Sequence, residues 1–110
     1  MADLILVNSE QSAAGDAIEI FYSAVSTGSG VKITAFSATN NTTSSKTYKA
    51  YIYDSSGSAL EAIIPQKIVV RDRFDLGAAI VGQLIPPGGT LRMESSAASS
   101  IVFRVTGSEA

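Results

Sequence analysis

Apolar and polar residues alternate along most of this chain with a period of two, the repeat of a strand that buries one of its faces. Residues 31–36 set Val31, Ile33 and Ala35 against Lys32, Thr34 and Phe36. Residues 48–53 set Tyr48, Ala50 and Ile52 against Lys49, Tyr51 and Tyr53. Between them lies Asn40-Asn41-Thr42-Thr43-Ser44-Ser45, whose side chains bond readily to nearby backbone and so favour a turn. Together these segments predict an antiparallel hairpin over 31–54, each strand having two distinguishable faces.

The same reading extends to both ends. Residues 4–7 are apolar on both faces and predict a short strand at a sheet edge, and 18–25 predict a second strand with apolar weight on both sides. Ser26-Thr27-Gly28-Ser29-Gly30 and Asp54-Ser55-Ser56-Gly57-Ser58 read as turns. Short strands are expected over 60–64 and 67–71, with Pro65 at a strand end or edge because it has no N–H for a ladder. Residues 76–85, with glycine at 77 and 82, read as extended with a helical turn. Pro86-Pro87-Gly88-Gly89-Thr90 is the strongest turn signal, since proline presets φ and the glycine after it supplies a positive φ. Beyond it, Leu91, Met93 and Ser95 alternate with Arg92 and Glu94, and Ile101, Phe103 and Val105 with Val102, Arg104 and Thr106; residues 107–110 are expected to be a loose tail.

Strands recurring every ~8–12 residues predict an all-β fold: a single β-sandwich or jelly-roll-like domain of about eight short antiparallel strands spanning 1–110. No repeat, linker or shift in composition divides the chain.

Composition narrows the function classes. At 110 residues there is room for one core, and a net charge of −2 from 8 basic and 10 acidic residues gives no field that would draw in nucleic acid or an anionic membrane. The absence of cysteine and histidine removes disulfides, thiolate chemistry, the usual zinc ligands and the commonest general base. The start Met1-Ala2-Asp3 followed by only four apolar residues predicts synthesis in the cytosol without a secretory signal, and no run approaches the ~20 apolar residues of a membrane span. Hydrophobic residues make up 45% and charged residues only 16%, against about a quarter charged in ordinary soluble domains, so part of the outside is expected to be covered by a partner.

Candidate chemistry is sparse. Arg71-Asp72-Arg73-Phe74-Asp75 is the densest charge cluster, and it reads either as a solvated loop with local ion pairs or as a partner contact of the kind built from arginine beside an aromatic ring. Asp72 and Asp75 are too few for a calcium cage of six to eight oxygens, and nothing signals a glycosidase pair. Tyr48, Tyr51 and Tyr53 read as core and cross-strand packing, with a sugar-stacking platform as the other possibility. The overlapping Asn40 and Asn41 sequons read as turn chemistry. No catalytic, cofactor-binding or metal-binding residue is expected, and an enzyme is the weakest class.

A strand with Tyr22, a Gly/Ser turn, Val31-Lys32-Ile33-Thr34-Ala35-Phe36, Thr39-Asn40-Asn41, an exposed turn and Thr47-Tyr48-Lys49-Ala50-Tyr51-Ile52 follow one another in this chain, and Leu84-Ile85-Pro86-Pro87-Gly88-Gly89-Thr90-Leu91 comes later. This order resembles a group of small virion structural proteins of tailed bacteriophages, in which an apolar-Pro-Gly-Thr-Leu corner precedes the penultimate strand; the likeness covers about 18–107. The resemblance implies a capsid decoration or cement protein that binds the assembled phage head, contacts the major capsid protein or other virion proteins, and acts as a homo-oligomer, dimer or trimer. It places the protein in the virion after synthesis in the host cytoplasm. The alternative it leaves open is a head–tail neck or tail adaptor, or a fibre-associated module, with carbohydrate binding as one role for the latter. The expected partner-binding residues are Arg71, Asp72, Arg73, Phe74 and Asp75.

Overall fold

The computed structural model describes all residues except 1–3, 12, 14, 72 and 78, and of residues 61 and 62 the backbone alone. Among the described residues the regular structure is entirely β, in nine strands: β1 (Leu4–Gln11), β2 (Glu19–Ser23), β3 (Val31–Asn40), β4 (Lys46–Tyr53), β5 (Ala59–Val69), β6 (Phe74–Asp75), β7 (Leu84–Ile85), β8 (Thr90–Ser95) and β9 (Ile101–Glu109). The first sheet has the order β1-β9-β3-β6, with β7 also on β3, and the second the order β2-β8-β4-β5. The antiparallel pairs β1 with β9, β2 with β8, β3 with β6 and β7, and β4 with β5 nest inside one another, as if one long hairpin with its tip at residues 54–58 had been rolled into a sandwich. That nesting is the jelly-roll pattern.

A jelly roll has eight strand positions, and one of them is split here. Between the pairs Ala38↔Asp75 and Lys32↔Leu84, residues 33–37 of β3 face the longer segment 76–83. The surplus is taken up by a turn in which the Gly77 carbonyl accepts from the N–H groups of Ile80 (3.0 Å) and Val81 (3.3 Å), and which drops Ile80 into the core. This is the helical turn expected within 76–85. Gly77 has φ +58, and a Cβ there would collide with the Phe36 ring, so the turn depends on glycine.

The hairpin expected over 31–54 does not form. β3 belongs to the first sheet and β4 to the second, and 41–45 arches across the sandwich between them. Alternation shows which face of a strand is buried; it does not show which neighbour receives the backbone hydrogen bonds, and here the two apolar faces meet across the core. Asn40 fixes the arch. Its Nδ2 donates to the carbonyls of Ser44 (2.8 Å) and Val69 (2.9 Å), while its Oδ1 accepts from the backbone N–H (2.9 Å) and hydroxyl (2.6 Å) of Thr42. With every polar atom of its side chain paired, Asn40 is fully buried without penalty.

Other expectations shift for local reasons. A bulge between Ile33 and Ala35 moves Phe36 onto the buried face with Val31 and Ile33 and leaves Ala35 outside. The two strands expected around Pro65 are one, β5, which lies at a sheet edge where a missing N–H costs no ladder bond. Residues 107–109 are not loose but end β9, with Ser108 opposite Lys32 and Glu109 opposite Val31. The 86–89 turn is as expected: Gly88 has φ +76 and the Gly89 N–H donates to the Pro86 carbonyl at 2.8 Å.

The core lies between the sheets around four rings. Phe103 packs edge-on against Phe21 (centroids 5.1 Å apart) and Tyr48 (5.7 Å), and Phe36 stacks on Tyr48 at 5.9 Å. Phe36 and Phe103 come from the first sheet, Phe21 and Tyr48 from the second. Truncating Phe103 to alanine would remove the shared wall and cost about 3–5 kcal/mol.

Candidate partner-binding surface

The predicted partner-binding residues lie where the edge strands β5 and β6 approach one another. A turn is closed by the Arg73 N–H donating to the Val70 carbonyl (3.1 Å), and the Arg73 carbonyl then accepts from the Asn40 N–H (2.9 Å). The chain is thus seated against β3, with Phe74 opposite Thr39 and Asp75 opposite Ala38. Strand alternation sends the two side chains opposite ways. Phe74 stands outward, 64% exposed, whereas Asp75 is half-buried. Part of the segment expected as a loop is therefore strand.

Asp75 serves the fold. Its carboxylate accepts from the Tyr48 hydroxyl and the Gly77 N–H (3.2 Å) and stands 3.9 Å from Lys67 Nζ. Burial, reinforced by the Asp75 acceptor and its charge, pushes the Tyr48 phenol well above its ordinary pKa, so this hydroxyl stays a donor. Asp72 lies outside the described residues. Among the described residues no group of three or more acidic side chains could hold a metal ion.

Exposed residues accompany Asp75 along the chain. Arg71 and Arg73 are exposed, and Ile68, Val70, Phe74 and Leu76 are each more than half exposed. Beside them runs a groove of about 300 Å³ lined by Ile64, Lys67, Asp75, Leu76, Gly77 and Ala79. Sequence reasoning missed Ile68, Val70 and Leu76 as surface residues. The signal was present: Ile68-Val69-Val70 is an unbroken apolar run at the end of an edge strand, and a strand can turn only alternate members inward.

Comparison with known protein families, with characterised proteins and with solved structures finds no match to this chain. Function must therefore be argued from its own surfaces.

The three tyrosines do not share a platform. Tyr48 is buried in the core, while Tyr51 and Tyr53 lie on the outer face of the second sheet, half-exposed and edge-to-face at 63°. There the Tyr51 hydroxyl donates to Glu94 (3.0 Å), which also lies 3.9 Å from Lys49 Nζ, and the Arg92 guanidinium sits 3.8 Å over the Tyr53 ring. Burial, followed by the Glu94 hydrogen bond and charge, pushes the Tyr51 phenol up to about 12. Packing, the first of the two readings of these residues, describes all three.

Proposed function

We propose that this chain is a structural protein of a virion, a capsid decoration or cement protein that docks on an assembled phage head through the β5–β6 rim and stabilises the shell. The observation that carries this reading is exposed Phe74, with Arg71, Arg73 and Leu76 also exposed within three residues of it along the chain, on backbone tied down by Asn40 and Asp75. An aromatic anchor flanked by arginine and held on rigid strands is the composition of an interface hot spot, and it needs little ordering on binding. The sequence likeness to small phage virion proteins supplies the kind of partner, the major capsid protein or a neighbour in the shell. The jelly roll suits the role, being a fold that viral shells use repeatedly. Repetition over a symmetric surface then lets modest contacts add up, because each bound copy favours the assembled state.

The test is occupancy on purified heads of the phage that encodes it. Arg73→Ala and Phe74→Ala are each expected to weaken binding by about 1–3 kcal/mol, roughly 5- to 150-fold in Kd. Undiminished occupancy of the double variant would overturn the assignment of this rim.

A further inference from the structure

The outer face of the second sheet holds a guanidinium that is fixed in place yet has no carboxylate partner among the described residues. Arg92 lies on β8, directly opposite Ile20 of β2 on one side and Tyr51 of β4 on the other. Its Nε donates to Thr90 Oγ1 at 2.9 Å, and its guanidinium carbon lies over the Tyr53 ring, 3.8 Å from the centroid. These contacts fix the fork, and neither uses the terminal Nη groups. The nearest acidic residue on the same strand face, Glu94, is committed to Lys49 and the Tyr51 hydroxyl, and Arg92 joins none of the ion pairs among the described residues. The two Nη groups thus have hydrogen-bonding capacity unmet by those residues.

We infer that this face is a second protein-docking site, separate from the β5–β6 rim, which takes a partner segment presenting an aspartate or glutamate beside an apolar side chain. A planar guanidinium held by stacking matches a carboxylate with two parallel hydrogen bonds, and the entropy of immobilising the long side chain has already been spent in the free protein. The apolar neighbour is equally specified. Ile20 is 56% exposed directly across from Arg92, and half-exposed Tyr51 and Tyr53 complete a rim of the residue types that anchor interfaces.

The alternatives fit less well. A sugar ring needs an open aromatic face, but the guanidinium covers one face of Tyr53 and the Tyr51 ring stands at 63° to it. A phosphate backbone would meet Glu94 beside a single available arginine on a chain of net charge −2.

The inference can be tested without any phage component. An immobilised array of short peptides of the form apolar-Asp/Glu-apolar, each beside its Asn/Gln twin, is probed with the labelled full chain. The acidic members are expected to bind at least about tenfold better than their amide twins, with the preference lost in Arg92→Gln and Ile20→Ser and kept in Phe74→Ala. Circular dichroism and an unchanged thermal midpoint confirm that each variant is folded; should Arg92→Gln not fold, Ile20→Ser carries the test. Equal binding of acidic and amide peptides, or a preference that survives Arg92→Gln, would overturn the inference. So would binding confined to a parallel glycan array, or an Arg92-dependent doubling of mass without peptide binding, which would assign the face to a sugar or to a second copy. Because the Phe74 rim is intact in the Arg92 variant, failure here is distinguishable from failure of the head-binding reading.

Discussion

The Tyr48 hydroxyl donates to the Asp75 carboxylate, joining the inner face of one sheet to an edge strand of the other. Asp75→Ala leaves that buried hydroxyl without its acceptor and is expected to cost about 1–3 kcal/mol. Tyr48→Phe removes donor and hydroxyl together, and Asp75 keeps Gly77 N–H and Lys67, so the loss should be smaller. Urea unfolding midpoints of the two variants give the order; equal midpoints would mean that the hydroxyl is satisfied some other way.

Alkaline stability follows from the same phenol and from Tyr51. Both have folded pKa values raised above the ordinary value of 10.0, Tyr51 to about 12 and Tyr48 further. Above pH ~10 the unfolded chain gives up these protons while the folded protein keeps them, so the unfolded state binds fewer and stability falls with rising pH. The contribution is whole below pH ~10 and declines as pH rises through the folded values. Tyr51→Phe should flatten the stretch between pH ~10 and ~12, as followed by unfolding midpoint against pH. An unaltered slope would show that other groups set the alkaline limit.

Asn40 makes four hydrogen bonds through one buried side chain. Asn40→Ala strands two carbonyls and a backbone N–H beside a cavity and should cost at least about 2 kcal/mol. Asn40→Asp should be worse at neutral pH, since it sets a carboxylate against the Ser44 and Val69 carbonyls, and it should recover partly in acid, where the carboxyl becomes a donor. Denaturant titrations at pH 7 and pH 4 distinguish these cases.

Ile5, Ile18 and Val25 are exposed on and around β1 and β2, at the rim remote from Phe74. This apolar weight, on a chain poor in charge, leads us to expect association into a dimer or trimer in the absence of any other component. Light scattering at roughly 20 μM should give a multiple of the monomer mass, reduced by Ile5→Lys or Val25→Lys. A strictly monomeric mass would leave the proposed partner alone to account for the composition.

Where each strand turns its core face was legible wherever alternation was unbroken. Tyr48, Ala50 and Ile52, then Leu91 and Met93, then Ile101, Phe103 and Val105 are all buried as their pattern demands. It failed at bulges, because one extra residue reverses the faces: Phe36 was placed on the wrong side of its strand for this reason. Pairing was not legible, since the partner of β3 is set by the whole roll and lies near the other end of the chain. In the candidate surface, arginine beside phenylalanine was visible as a cluster, but Asp75 reads like its neighbours until strand geometry turns it inward to Tyr48. Arg92 gave no signal at all, because its having no carboxylate partner among the described residues is a fact about three strands at once.

The nesting of β1 with β9 also constrains how the protein comes into being. Leu4 lies opposite Gly107, so the first strand has no partner until the distant segment carrying Gly107 has left the ribosome. The sheet edges that β1 and β9 cover must wait exposed through synthesis, and closure of so long a loop belongs to the slow, ms–s range of β folds. In a cell making many copies at once, chaperone supply and growth temperature should therefore govern the yield of usable protein more than equilibrium stability does.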